Sequence, residues 1–553
     1  MLLHSREQVA QYVADGWWGP ETWDSLLRAR AAERPERTAV VDPPNRKALV
    51  GVEPQRLTWR ELDHEVDRVS GALSAACVQR GDVVAVQLVN GVELAATLLA
   101  IARLRAVAMP IPVQLERFEV KKMCRTAGAG SLVTEARRGE RSPAAEALVL
   151  VAEIDGLERL LAWGEAVPPG VLALHGVQAP GPPREEPPTD ECVTICWTSG
   201  TESAPKAVPR CHGDWLALAR LTVQAAELDE SDVLLNPFPM VNMAGIGGML
   251  LPWLLCGGTL VQHHPFDLPT YLGQLAREQV TYTVAAPAIL NRLLLDERTA
   301  KHVSELRSLR RIGCGSAPLA GWMVKGYHER FGIEVLNYFA SNEGTSLMSD
   351  GRTVPDPDDR AAYFPRDRPG PPGTLTRLVD LVTEEEIDQP GRAGELRIKG
   401  PAIFAGYLNA EELSDPFDAH GYLRTGDLFE LAGAEQEFYR YVDRAKDIIV
   451  RGGMNISAAE VEGHLQSHPQ VLEAAAVAVP DQVLGERVCA VVVPAPGGPP
   501  PTLEQLAEHL RELGVARYKT PERLELIDAL PRNSVGKVLK RELIARLRVE
   551  GAS

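Results

Sequence analysis

Thr198-Ser199-Gly200-Thr201-Glu202-Ser203-Ala204-Pro205-Lys206 follows directly on Cys192–Trp197, a short apolar run that reads as a buried strand. Small hydroxyl residues and a glycine let backbone N–H groups approach an anion closely, and Lys206 adds a point charge. The spacing is not that of a Walker A loop, because GxxxxGK[ST] is absent. Alone, the segment reads equally well as a flexible turn or as a phosphate site. Its surroundings decide.

Outward from this loop, strand-like and helix-like patterns alternate. Val83–Leu88 is rich in valine, Asn90-Gly91 marks a turn, Glu93–Leu104 has helical composition, and Val107–Pro112 reads as the next strand. Similar runs recur at Thr259–Gln262, Tyr282–Ala285 and Arg311–Gly313. Strand–helix–strand order predicts an α/β fold with a parallel sheet covered by helices. Two stretches read as connectors: Gln178–Asp190, rich in proline and acid, and Asp350–Gly373, expected to be a surface loop. Past about residue 440 the texture becomes compact α+β. A helix is expected at Ala458–Gln466, strands at Ala474–Val479 and Val488–Val493, a helix at Leu503–Leu513 and a strand near Arg523–Ile527. This is the pattern of a separate C-terminal domain.

Other clusters punctuate the chain. Gly313-Cys314-Gly315-Ser316-Ala317-Pro318-Leu319 could seat a flat ligand against bare backbone, or simply turn the chain before a helix. Asn337-Tyr338-Phe339-Ala340-Ser341-Asn342-Glu343-Gly344 offers an aromatic ring for a base and a carboxylate for a hard cation, or an ordinary loop. Thr425-Gly426-Asp427 suits ribose hydroxyls or a plain turn. Asp443-Arg444-Ala445-Lys446-Asp447, with Arg451-Gly452-Gly453 after it, could complete that grip. Last comes Pro531-Arg532-Asn533-Ser534-Val535-Gly536-Lys537; a lysine so near a chain end is most often solvated.

Composition narrows the classes. A chain of 553 residues suffices for two or three well-buried domains. With 75 acidic against 58 basic residues the formal charge is -17, a poor match to nucleic acid or anionic membranes. The eight cysteines form no Cys-x-x-Cys pair and read as reduced thiols of a cytoplasmic protein. The first residues lack an apolar stretch of signal length. The most apolar segment, Gly247–Val261, is too short for a bilayer and is broken by Pro252, Gly257 and Gly258. No membrane span is expected.

Each cluster is weak alone, but their order and spacing are not. Together they resemble the adenylate-forming superfamily: acyl- and aryl-CoA synthetases, nonribosomal peptide synthetase adenylation domains and firefly luciferase. The likeness runs from about residue 20 to 545, nearly the whole chain. It implies a large N-terminal AMP-binding domain with α/β subdomains over residues 1–442, holding ATP and the acid. A hinge at 443–446, centred on Lys446, and a small mobile α+β lid over 447–553 are also implied. By the same resemblance Thr198, Ser199, Gly200, Thr201 and Lys206 wrap the β- and γ-phosphates. Gly315, Ser316, Ala317 and Pro318 form the adenine turn, and Phe339 lies against the base. Glu343 holds Mg²⁺, with Asn342 before it facing the nucleotide. Asp427 takes the ribose hydroxyls and Arg444 accompanies it. Lys537 reaches the carboxylate and the α-phosphate, making Lys537 and Glu343 the catalytic pair. Arg451, Gly452 and Gly453 resemble the lining of a pantetheine tunnel.

The sequence also departs from the family pattern. Trp197 replaces a tyrosine, Glu202-Ser203 replaces Thr-Gly beside the phosphates, Ala207 replaces a glycine, Asn342 a threonine and Ala458 a proline. A negative charge next to the phosphates and a lost glycine are expected to weaken ATP binding. The reacting groups are all retained.

In this family the acid is lined by the segment after Pro237-Phe238-Pro239, by residues near Ala286 and by the 313–317 turn. Here that gives Asn242, Met243, Gly247, Ala286 and Gly315. Without a cation for a second carboxylate, or an acid for an ammonium, the expected substrate is an uncharged-tail aliphatic, alicyclic or aromatic acid of modest size. The expected acceptor is the thiol of coenzyme A. Carrier-protein phosphopantetheine is the alternative, and a non-catalytic nucleotide-binding homologue is a third reading. Monomer and homodimer both stay open.

Overall fold

The computed structural model describes residues 1–177, 179, 181, 185–198, 205–408, 413, 415–452, 454–481, 483–532 and 537–550. Ser199, Gly200, Thr201 and Gly453 lie outside the described residues, as do 202–204 and 533–536.

Two large sheets build the first part of the chain. In the seven-stranded sheet, Val83–Gln87, Val107–Pro110, Ala129–Glu135, Arg159–Trp163 and Cys192–Trp197 run parallel. Ala207–Cys211 closes one edge antiparallel to Cys192–Trp197. In the eight-stranded sheet, Thr38–Val41, Thr259–Gln262, Val233–Asn236, Tyr282–Ala285, Arg311–Gly315 and Glu334–Ala340 run parallel between two antiparallel edges. Strands buried on both faces need continuous apolar runs, which is why they are legible as valine- and isoleucine-rich segments. The helix Val92–Arg103 is buried at every position. Trp59 stacks on Trp253 at 4.7 Å beside it in the shared core.

The apolar segment Gly247–Val261 is interior, not membrane. It forms helices Met243–Leu250 and Leu251–Cys256, which lead into the strand Thr259–Gln262. No helix among the described residues is long and apolar enough to cross a membrane.

Asp350–Gly373 differs from the expected surface loop. It contains the helix Pro357–Ala362 and the strand Tyr363–Pro365, which pairs with Phe438–Arg444. Arg360 and Phe364 are buried there. The abundance of Pro and Asp reflects an Asp356 cap followed by Pro357 at the first helical turn, a helix start rather than an irregular loop.

A five-stranded antiparallel sheet follows, in which Leu423–Ala432 pairs with Phe438–Arg444. The sheets change between Arg444 and Ile449: the last sheet holds Ile449–Arg451, Met454–Ile456, Val471–Asp481, Gly485–Pro494 and Arg523–Leu526. Helices Ala458–Gln466 and Leu503–Glu512 share a core with it. At the junction, the Ser457 hydroxyl donates to the Val442 carbonyl (2.8 Å) and Asp443 Oδ2 (3.0 Å), and Ala459 N–H donates to Asp443 Oδ2 (3.0 Å). A carboxylate at a helix N-terminus is favoured by the orphan N–H groups there.

Candidate active site

The loop that opens the sequence reading is the connection of a hairpin. Cys192–Trp197 and Ala207–Cys211 pair antiparallel, and the stem is closed by Thr198 N–H to the Lys206 carbonyl (3.0 Å) and Lys206 N–H to Thr198 Oγ1 (3.1 Å). Both ends of the nine-residue segment are thus fixed. The Lys206 ammonium sits 4.7 Å from the centre of the Tyr407 ring, within cation–π range. The Tyr407 hydroxyl donates to Glu343 Oε1 at 2.9 Å. Lys206, Tyr407 and Glu343 therefore form one continuous contact.

Glu343 is held from its backbone as well, since its carbonyl accepts from Phe404 N–H at 2.9 Å. Gly344 has φ +102°, and a Cβ there would lie 1.8 Å from the Ala402 carbonyl. Only glycine allows so close an approach. The half-buried Glu343 carboxylate, an oxygen donor in a cleft of mixed charge, fits magnesium, which takes oxygen ligands.

Asp427 and Arg444 are direct neighbours across the antiparallel ladder, with Arg444 Nε 3.3 Å from Asp427 Oδ1. Burial pushes the Asp427 carboxyl up to about 6, against the pull of the Arg444 and Lys537 cations, while Glu343 and Asp447 push the same way as burial. Burial likewise lowers the Lys537 ammonium to about 8; Arg444 and Lys446 add repulsion, and Asp427 and Asp447 resist. The two ends of the chain's chemistry thus meet, 110 positions apart in sequence, in a cleft that also feels Glu343. Tyr441 lines the same place: its phenol is raised by burial and then by Asp427 and Asp443.

Phe339 is half-buried and packs on Phe429 (5.1 Å) and Tyr441 (6.0 Å), so one face of an aromatic cluster carries it. Gly315 ends its strand where a Cβ would meet the Tyr338 carbonyl at 2.3 Å. Ser316, at φ +73°, occupies the left-handed region unfavourable to a side chain, and Ser316, Ala317 and Pro318 are exposed. A strained, open turn of small residues is what close approach by a flat ligand requires.

Asn342 does work that the sequence did not suggest. Its Oδ1 accepts from Met243 N–H (2.8 Å) and its Nδ2 donates to the Trp197 carbonyl (2.9 Å), tying the strand before the hairpin loop to the start of the helix Met243–Leu250. Asn242 caps the next helix through Ala244 N–H (3.1 Å) and Gly245 N–H (3.4 Å). A Cβ on Gly247 would meet Met243, Leu218 and Trp215, so that direction faces the core. Ala286 precedes the helix Pro287–Leu295. Gly313 is the more telling glycine. Its missing Cβ would lie 2.5 Å from Tyr338 Cε2 and 2.8 Å from the Tyr282 hydroxyl, and the two phenols are 3.2 Å apart.

In the last domain, Arg451 is engaged by Glu522 through two bonds of 3.0 and 2.8 Å. Gly452, at φ +57°, donates its N–H to the Leu484 carbonyl at 2.8 Å. Lys446 lies in the turn between the two sheets, close enough to repel Lys537. Sequence reasoning missed Tyr407 and Tyr441, and named Asp447 within its cluster without a role of its own; their signal is spatial.

Comparison with known proteins places the chain in a family. Residues 27–408 match the AMP-binding enzyme family, and 460–537 match the AMP-binding enzyme C-terminal domain. The salicyl-AMP ligase / salicyl-S-ArCP synthetase of Mycobacterium tuberculosis is 30% identical over 98% of this chain and 93% of that protein. The indoleacetate–CoA ligase of Aromatoleum aromaticum is 31% identical over 89% of this chain and 94% of that protein. The crystal structure of the anthranilate CoA ligase AuaEII in complex with anthranoyl-AMP superposes with a TM-score of 0.82 at 23% identity, covering 96% of this chain and 98% of that one, a likeness of fold.

Proposed function

Because this chain belongs to the AMP-binding enzyme family and is an adenylate-forming acid ligase, we propose that it activates an uncharged-tail carboxylic acid with ATP and passes the acyl group to coenzyme A. The observation that supports this most is the convergence of Lys537, Asp427, Arg444 and Glu343 on one cleft.

In the first step the carboxylate oxygen attacks the α-phosphorus, the bond from that phosphorus to the β-bridging oxygen breaks, and pyrophosphate leaves. Two anions must meet, and Lys537 neutralises the charge that gathers between them. Asp427, flanked by Arg444, accepts from the ribose hydroxyls and fixes the sugar. The Phe339 face and the 315–318 turn bracket the base. Lys206, stacked on Tyr407, meets the leaving phosphates, and Thr198, Ser199, Gly200 and Thr201 complete that loop. Glu343 would hold magnesium, which supplies charge neutralisation on the phosphate oxygens when bound.

In the second step the thiol sulfur attacks the acyl carbon, the bond from that carbon to the phosphate oxygen breaks, AMP leaves and the thiol proton passes to solvent. No lysine is needed, because the mixed anhydride is already activated. The part of the chain over 447–553 swings about 443–446, withdrawing Lys537 and presenting Arg451, Gly452 and Gly453 to the pantetheine arm.

The acid pocket includes Asn242, Met243, Ala286, Gly313 and Gly315, with Gly247 behind it in the packing of its wall. The Tyr282 and Tyr338 phenols, packed directly against Gly313, give that wall an aromatic character that suits an aromatic acid. The relatives named for salicylate and indoleacetate are consistent with that choice. A second reading has a specific observation in its favour: Val483, Met454 and Val450 are 86%, 47% and 46% exposed around the Arg451 hairpin, a ridge suited to a carrier protein.

Pyrophosphate release across a panel of acids, with products identified by mass, tests all of this. Aromatic and medium aliphatic acids should turn over, with a CoA thioester formed when CoA is present. Preference for amino acids or diacids would refute the assignment of the acid. A thioester formed only on a phosphopantetheinylated carrier would move the acceptor to the second reading.

A further inference from the structure

The first residues of the chain lie as a strap against Asp190–Cys192. Cys192 N–H donates to the Met1 carbonyl (2.9 Å) and Leu3 N–H to the Asp190 carbonyl (3.3 Å). The strap carries His4 inward, edge-on to Trp18 at 5.1 Å, with its side chain only 4% exposed. His4 Nε2 is buried without a hydrogen-bond partner. Asp214 Oδ2 stands 3.9 Å from it, too far for a hydrogen bond.

Cys211 and Asp214 are fully buried and lock one another at the start of the helix His212–Ala225. Cys211 N–H donates to Asp214 Oδ2 (3.2 Å), and the Asp214 N–H is received by the Cys211 thiol. Asp214 Oδ1 lies 3.0 Å from Arg210 Nε but makes no well-formed hydrogen bond. A donor atom from each of His4, Cys211 and Asp214 lies within 4.8 Å of the other two, and among the described residues no other three such donors converge this closely.

We infer that His4, Cys211 and Asp214 bind a zinc ion. Imidazole, thiolate and carboxylate in one buried pocket are zinc donors, whereas magnesium and calcium prefer oxygen alone. Zinc bonds of about 2.0–2.3 Å place tetrahedral ligands roughly 3.3–3.7 Å apart, so side-chain shifts on the order of 1 Å, closing donor separations of up to 4.8 Å, seat the ion. The orphaned His4 nitrogen then gains the partner it lacks. Uptake is balanced: the sulfur–zinc bond forms as the thiol proton leaves to solvent. Arg210 orients the carboxylate as outer partners of metal ligands do. The same guanidinium donates to the carbonyls of Asn342 (2.8 Å) and Ala402 (3.0 Å), which flank Glu343 and Phe404, so the pocket is braced against the backbone of the nucleotide cleft without sharing its reacting groups.

The test is elemental analysis of the full-length protein after incubation with equimolar zinc and removal of the excess. The wild type should keep about one zinc per chain, and H4A should keep about tenfold less. Cobalt in place of zinc should give a near-ultraviolet thiolate charge-transfer band that C211S lacks. His4 lies at the chain start, so H4A keeps the test decisive even if C211S misfolds; equal melting of metal-free wild type and H4A checks the fold. Wild type that keeps no zinc would overturn the inference. Zinc unchanged in H4A would overturn it as well.

Discussion

The two ends of the proposed cleft are built by opposite means. At the ribose end, charged groups are placed by backbone pairing: Asp427 and Arg444 face each other across a ladder, and Lys537 arrives from the last domain to share their field. At the acid end the shape comes from what is missing. Gly313 lets its strand pack directly on the Tyr338 and Tyr282 phenols, Gly315 lets the chain touch the Tyr338 carbonyl, and Asn342 spends its amide on holding walls together. In the proposed reading, charge and ladder serve a reaction shared across the family, and close packing selects the acid.

Four experiments would break or sharpen this contrast. K537A should lower ATP–pyrophosphate exchange on the order of 10²–10³-fold, as removal of other preorganised charges does, while thiol transfer from a supplied acyl-adenylate stays within a few-fold. An equal loss in both half-reactions would unmake the division of labour. G313A should act at the other end, where the added methyl would lie 2.5 Å from Tyr338 Cε2 and force that ring aside, lowering kcat/KM for the acid by roughly 10–200-fold. The KM for ATP should stay unchanged, and selectivity should turn toward smaller acids.

The third experiment is a pH profile. Lys537 is charged below its value of about 8 and neutral above it, because burial penalises the cation. The kcat/KM for ATP should therefore decline above pH 8, by about tenfold at pH 9, and K537A should abolish that limb. A flat profile to pH 9.5 would contradict a depressed ammonium. The smallest effect is expected from Y407F. Losing one hydrogen bond to a charged carboxylate costs about 1–2 kcal/mol, so adenylation should slow about five- to thirty-fold with the acid KM unmoved.

Much of this was legible in the sequence, for identifiable reasons. Thr259–Gln262, Tyr282–Ala285 and Ala458–Gln466 form with the expected bounds because buried strands and capped helices carry local signals. The family likeness is borne out by the match over residues 27–408 and 460–537. Other features were not readable. Asp350–Gly373 passes for a loop because its helix is short and its burial depends on Phe364 meeting Phe339 and Phe429. Tyr407 is one tyrosine among eleven until Glu343 is found at its hydroxyl. Asn342 reads as a phosphate donor in sequence, yet its bonds to Met243 and Trp197 are long-range facts. The scattered cysteines suggest inert thiols; only folding brings Cys211 beside His4, which is 207 positions away.

Asp443 gives a last consequence. Its carboxylate receives Ser457 and Ala459 from the far side of the turn containing Lys446, one residue before the arginine that accompanies Asp427. If the proposed rotation takes place at that turn, it must first surrender those bonds, and the junction would then act as a detent; D443A should make the 447–553 part reorient more freely, measured as a shorter rotational correlation time.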